Sequence, residues 1–129
     1  MRAALVLLLF SASLSAQLAN AGRHKIMIFG GIDHRIYLGC LSCSEIAKDS
    51  VLNEIGPYGS EISETSITNH ISKYGSEISD VSACNEIANH PPIIVNERGG
   101  SYGYLTLNET HNQVRSEQLI AWLRKVCEQ

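Results

Sequence analysis

The sequence of residues 50–81 reads SVLNEIGPYGSEISET and then SITNHISKYGSEISDV, two copies of one 16-residue repeat (50–65 and 66–81). A third, partial copy, SACNEIANH, covers residues 82–90 and ends at Pro91. Serine opens each copy, asparagine follows three residues later, and Tyr-Gly-Ser-Glu-Ile-Ser occurs unchanged in both complete copies. A fixed period indicates small units that bury their apolar faces against their neighbours. The repeat is therefore an architectural signal and indicates no particular chemistry.

Two local structures fit 16 residues. In the first, the opening serine caps a single helical turn, which predicts that Val51 and Ile55 lie on one face. Tyr-Gly-Ser then ends the turn, and the alternation of Glu61, Ile62 and Ser63 predicts a short extended segment with Ile62 pointing inward. In the second, every repeat is extended and the chain is mostly β. The sequence leaves both open.

Strand-like runs flank the repeats in two pairs, at 25–29 and 35–41 before them and at 93–95 and 102–107 after them. A glycine-containing loop separates the members of each pair, which is typical of hairpins. From residue 115 onward, apolar residues recur at three- and four-residue spacing, which predicts one amphipathic helix. The predicted fold class is α+β: a small antiparallel sheet of two hairpins, a central repeat segment of short turns or helical turns and short strands, and a C-terminal helix.

The N-terminal residues 1–21 have the pattern of a secretory signal peptide. Arg2 precedes an apolar run at 3–10, and Ala19-Asn20-Ala21 matches an A-x-A cleavage site. The apolar run is too short to cross a bilayer core of about 30 Å as a helix. We therefore expect a single secreted or periplasmic domain, residues 22–129, that does not span a membrane after cleavage.

Charge excludes one class of partner. The chain carries a net charge of −3, and loss of Arg2 leaves nine Lys and Arg against thirteen Asp and Glu. The repeat segment 45–86 holds eight acids against Lys48 and Lys73. Nucleic-acid binding requires a basic surface, so no nucleic-acid partner is expected. The predicted partner is an unidentified cell-envelope or extracellular component.

All four cysteines follow the predicted cleavage site, and an even number in an exported chain indicates disulfides. Three pairings are possible. We favour Cys84 with Cys127, which would tie the last repeat to the terminal helix, and Cys40 with Cys43 as a local bridge.

The same cysteines allow a second function from a different class. Cys40-Leu-Ser-Cys43 could act as a thiol-redox pair, although no βαβ pattern surrounds it. Cys40, Cys43 and Cys84 could bind zinc or copper with His90 or His111, but the paired spacing of known sites is missing. No cofactor is expected.

The repeats also carry a candidate ligand surface. Tyr58 and Tyr74 occupy equivalent positions, as do Asn53 and Asn69, and aromatic and amide side chains suit carbohydrate or peptide binding. Packing of the tyrosines as successive steps of a core is the alternative interpretation.

No catalytic motif is recognisable. Asp33 and His34 could supply a base and its orienting group for a hydrolase, but adjacent residues on an extended backbone point to opposite sides, and no G-x-S-x-G motif is present. The sequence therefore favours a non-enzymatic module.

A family resemblance rests on three motifs in order. Tyr37 to Cys43 reads YLGCLSC, tandem Ser-x-x-Asn…Tyr-Gly-Ser units follow, and PPIIV at 91–95 precedes YGYLT at 102–106. This combination resembles a group of small exported bacterial proteins and covers nearly all of the chain after residue 21. The resemblance implies one exported bacterial domain and transfers no catalytic residue.

Overall fold

The structure, a computed structural model, describes residues 24–128; the predicted signal peptide lies outside the described residues. The elements in chain order are β1 (Ile26–Gly30), β2 (Ile36–Cys40), β3 (Ile93–Asn96), β4 (Ser101–Tyr104) and the helix α1 (Glu117–Cys127). The strands form one antiparallel sheet in the order β2-β1-β3-β4. The α+β class, with an antiparallel sheet and a C-terminal helix, is confirmed.

Between residues 24 and 128, no helix is both long enough and apolar enough to cross a bilayer.

The two hairpins meet through β1 and β3. Ile28 of β1 lies directly opposite Ile94 of β3, so both side chains point to the same face of the sheet, and both are buried. β4 ends at Tyr104, three residues before the predicted end of that strand. The N–H of Leu105 still donates to the Pro92 carbonyl at 2.8 Å, but Pro91 and Pro92, which precede β3, have no N–H to donate in return, so the ladder ends there.

The repeats form a series of three-residue turns rather than helices or strands. Between residues 41 and 92 the described chain has no helix and no strand longer than a single bridge, Cys40 to Ser50. The backbone N–H of Asn53 donates to the Ser50 carbonyl at 3.2 Å, and the N–H of Asn69 donates to the Ser66 carbonyl at 3.3 Å. The chain changes direction at nearly every third residue.

This turn geometry contradicts two predictions made from the sequence. Val51 is buried, whereas Ile55 is 95% exposed, so the two do not share a face. Ile62, predicted to point inward, is 89% exposed. A helix brings residues four apart to one side. A chain that turns every three residues does not, so apolar residues at that spacing separate.

Small polar residues occupy recurrent interior positions of the repeats. The opening serine of each copy is fully buried, and its Oγ accepts the backbone N–H two residues later. The asparagine three positions on does the same through Oδ1, while its Nδ2 donates to a carbonyl six residues earlier. Among the described residues, every buried side-chain nitrogen and oxygen has a hydrogen-bond partner. The serines are Ser50, Ser66 and Ser82, and the asparagines are Asn53, Asn69 and Asn85.

Sets of consecutive turns, which we call coils, stack on one another at a spacing of about eight residues. The N–H of Ala83 donates to the Tyr74 carbonyl at 3.3 Å, and Thr68 Oγ1 donates to the Gly59 carbonyl at 2.9 Å. A Cβ on Gly59 would collide with the backbone carbonyl of Asn53, six residues earlier, so this position requires glycine. Each 16-residue copy therefore makes two short coils.

One hydrophobic core joins the sheet, the coils and α1. It includes Ile28 and Leu38 from the sheet, Ile67 from the repeats and Leu123 from the helix. Ser116 caps α1, since its Oγ accepts the N–H of Leu119 at 3.2 Å. The coils therefore rest on both the sheet and the helix.

Candidate binding surface

The four residues of the predicted ligand surface do not form one exposed face. Tyr74 and Asn69 are each only 4% exposed. Tyr58 is half-buried and lies edge-on to the Tyr37 ring, with 5.0 Å between ring centroids. Asn53, also half-buried, uses its amide to bind backbone groups of the coils. Tyr74 packs as a step of the core, as the alternative interpretation expected.

The cysteines form the pairs favoured from the sequence, Cys40 with Cys43 and Cys84 with Cys127. Thiol exchange requires access to a sulfur atom. Cys40 is fully buried and Cys43 is half-buried, so an attacking thiolate would have to approach Cys43.

The other sequence candidates are not brought together. The cysteines proposed as metal ligands with His90 are divided between two disulfides, Cys40–Cys43 and Cys84–Cys127. Residues 24–128 contain no group of three or more His, Cys, Asp or Glu arranged to hold a metal. His34 Nε2 lies 2.9 Å from the Pro91 carbonyl oxygen, while Asp33 is exposed. His34 is therefore held by the backbone and not by the neighbouring carboxylate.

The repeats instead expose a row of large aliphatic side chains. Six isoleucines, one from each successive coil, are 82–95% exposed, and successive members are alternately nine and seven residues apart. We call this row the isoleucine edge. Its members are Ile46, Ile55, Ile62, Ile71, Ile78 and Ile87.

Local hydrogen bonds determine where these side chains point. Each isoleucine follows a serine or asparagine by two residues. In five of the six turns that side chain accepts the isoleucine N–H, for example Asn69 Oδ1 from Ile71 at 3.1 Å and Ser60 Oγ from Ile62 at 3.2 Å. Such turns keep the small residue inside and the residue two positions later outside.

An acidic residue accompanies almost every member of the edge. Glutamate precedes five of the six isoleucines, and His70 precedes the other. Glu54 and Glu61, from successive coils, line one surface depression, and Glu77 and Glu86 line another. Within each of these two pairs, neighbouring coils therefore present their glutamates to the same depression.

A partly exposed cluster of polar side chains fixes the first coil to the sheet. Asp49 Oδ2 accepts from Tyr37 Oη at 2.6 Å and lies 2.7 Å from Lys25 Nζ. The hydrogen bonds from Lys25 and then Tyr37 hold the pKa of Asp49 below its usual value. Burial, followed by the hydrogen bond to Asp49, raises the pKa of Tyr37 well above its usual value.

The isoleucine edge could have been found from the sequence through a second, shorter period. Serine, asparagine, alanine or glycine recurs at every third position from Ser44 to Ala88, with one extra residue at each Tyr-Gly. The 16-residue repeat conceals this spacing because five turns, four of three residues and one of four, make up each copy.

Comparison of the chain with protein-family models, with curated proteins and with solved structures finds no match.

Proposed function

We propose that this protein is an exported, non-enzymatic binding module that recognises a cell-envelope or extracellular partner through its isoleucine edge. The observation that carries the proposal is the exposure of all six isoleucines, from 82% to 95%, at equivalent turn positions. Large exposed apolar patches on soluble proteins mark interaction sites.

Folding alone gives no reason for isoleucine at these positions. Turns favour Gly, Pro, Asn, Asp and Ser, and β-branched residues have no advantage there. A buried isoleucine contributes about 1.5–3 kcal/mol, and these side chains forgo that contribution in the free protein. Burial against a partner would recover it, which supports a role in binding rather than in folding.

The flanking glutamates indicate the kind of partner. Five carboxylates beside the isoleucines oppose binding to nucleic acid or to an anionic bilayer. A protein segment with apolar residues and nearby Lys or Arg fits the edge best, because charges of opposite sign steer association and select the partner. The same carboxylates keep the free edge hydrated.

The predicted signal peptide supports export. Two disulfides are consistent with an oxidising compartment. The resemblance to small exported bacterial proteins gives further support, since it covers the same motifs that build the turns and β2.

The test is binding of the fluorescently labelled protein to an envelope fraction of the producing cells. We expect saturable binding that falls at least tenfold in the variant Ile55→Ser/Ile62→Ser/Ile71→Ser, because three successive coils lose their apolar contact. Ile32→Ser/Ile36→Ser is the control, since these exposed isoleucines belong to the first hairpin and not to the isoleucine edge.

Urea unfolding of both variants should match that of the parent, because the changed side chains are exposed. Equal binding by the parent and the triple variant would exclude the isoleucine edge as the contact surface.

A further inference from the structure

A groove beside the first coils differs in chemical character from the isoleucine edge. It lies where the sheet, the first coils and α1 meet, and its volume is about 1010 Å³. Its apolar lining includes Ile26 from β1, Leu41 just after β2, Leu52 from the repeats, and Leu119 and Trp122 from α1. None of the six isoleucines of the edge lines it. Ligand sites in proteins are typically apolar concavities of this size with a few polar groups.

The polar groups in this groove carry no negative charge. Arg115 is the charged residue of the lining, and no aspartate or glutamate among the described residues contributes to it. By contrast, the cavity beside the Cys84–Cys127 disulfide is lined by four glutamates together with Arg124. In a chain with a net charge of −3, an apolar groove lined by a cation and by no carboxylate favours an anion, although Arg115 also lines a neighbouring depression with Glu109 and Glu117.

The cation lies at the end of α1 that also favours anions. Arg115 immediately precedes Ser116, the N-cap of α1, and both line the groove. Arg115 is exposed and makes no ion pair with another residue between 24 and 128, so its guanidinium is available to a ligand. The positive end of the helix dipole adds to its charge.

From this combination we infer that the groove binds a free fatty acid, with the hydrocarbon chain along Leu41, Leu52, Leu119 and Trp122 and the carboxylate at Arg115. The hydrocarbon chain would bury apolar surface now facing water, and guanidinium is suited to binding a carboxylate through two hydrogen bonds. This site does not depend on the isoleucine edge, and either one can be present without the other.

Trp122 makes the inference directly measurable. It is the single tryptophan of the chain and lines the groove, so its fluorescence reports occupancy. Titration with dodecanoate below its micelle concentration should give a saturable change with one site per chain. Dodecylammonium, with the same chain length and opposite charge, should bind at least tenfold more weakly.

Two variants separate the head-group and chain contacts. Arg115→Gln should weaken dodecanoate binding at least fivefold, while Arg35→Gln, an equal charge change at an exposed residue outside the groove, should leave it unchanged. Leu119→Asp should abolish binding. Because Arg115 is exposed, its variant should fold, and urea unfolding verifies this.

Three results would overturn the inference. One is equal affinity for dodecanoate and dodecylammonium, or equal effects of the two arginine variants. The second is binding of anionic phosphatidylglycerol vesicles without binding of dodecanoate, which would make the groove a membrane contact. The third is a dimer in sedimentation analysis that Leu119→Asp converts to monomer without any dodecanoate binding, which would make a second copy the occupant.

Discussion

At the scale of single residues, Asp49 connects three parts of the fold. Its carboxylate binds Lys25, next to β1, and Tyr37, on β2, and its own backbone carbonyl accepts the N–H of Cys40. Asp49 itself belongs to the first coil, so these bonds fix the start of the repeats to the sheet. Hydrogen bonds that favour the ionised form explain why the pKa of Asp49 is lowered.

This cluster predicts a dependence of stability on acid pH. A carboxyl whose pKa is lower in the folded than in the unfolded state stabilises the protein fully at pH values above the ordinary pKa of 3.8. This contribution is lost as the pH falls through the folded-state pKa. Asp49→Asn should therefore lower the free energy of unfolding by about 1 kcal/mol at pH 7, a modest figure because the pair is partly exposed. Urea unfolding at pH 7 and at pH 2.5 measures the difference.

The control for this prediction is Asp33→Asn, since Asp33 is exposed and forms no ion pair with another described residue. It should unfold like the parent at both pH values. If Asp49→Asn is equally destabilised at pH 7 and at pH 2.5, its effect does not come from the ionised carboxylate.

At the scale of elements, the parts of the fold that follow ordinary periods were predictable. Alternation along residues 26–30 and helical spacing between Leu119 and Val126 reflect burial on one side, which sequence reasoning detects. The repeats follow neither period. Serine and asparagine occupy interior positions there, and the isoleucines that apolarity assigns to the core, Ile55 and Ile62, are exposed.

The buried amides of the turns give the second prediction. Asn69→Ala removes the acceptor for the Ile71 N–H and the donor to the Ser63 carbonyl, and it should lower the free energy of unfolding by about 2 kcal/mol. Asn69→Ser should cost less, because serine at the equivalent turn position 60 accepts the same kind of N–H. Urea unfolding ranks the variants.

Ile71→Ser is the control in the same turn, since that side chain is 92% exposed and should change stability little. If Asn69→Ala and Ile71→Ser have equal effects, the turns are not maintained by their asparagine side chains.

At the scale of the whole molecule, both edges of the sheet are partly covered. The bridge to Ser50 covers part of β2, and Tyr104 of β4 exchanges backbone hydrogen bonds with Asn112 and Val114 at 3.1 and 3.0 Å. Exposed strand edges promote association between chains. Since these edges are occupied in part, fewer backbone groups remain for pairing with a strand of another chain.

The candidate surface was not predictable from the apolarity of its residues, only from the three-residue spacing of the small residues. The apolar side chain of Ile71 suggests burial. Its exposure follows only from its position two residues after Asn69, a small polar residue of the turn. The disulfide pairing was predictable, because Cys84 in the last repeat and Cys127 in the terminal helix suit a long closing link.

The two disulfides should therefore contribute unequally to stability. Cys84–Cys127 spans 43 residues and joins the last coil to α1, whereas Cys40–Cys43 spans three. In the chain-entropy model these separations correspond to about 4 and about 2 kcal/mol. In urea unfolding monitored by circular dichroism, Cys84→Ala/Cys127→Ala should have a distinctly lower midpoint than Cys40→Ala/Cys43→Ala. Similar midpoints would mean that the coils and the helix hold together through the core contacts of Ile67 and Leu123 without need of the covalent link.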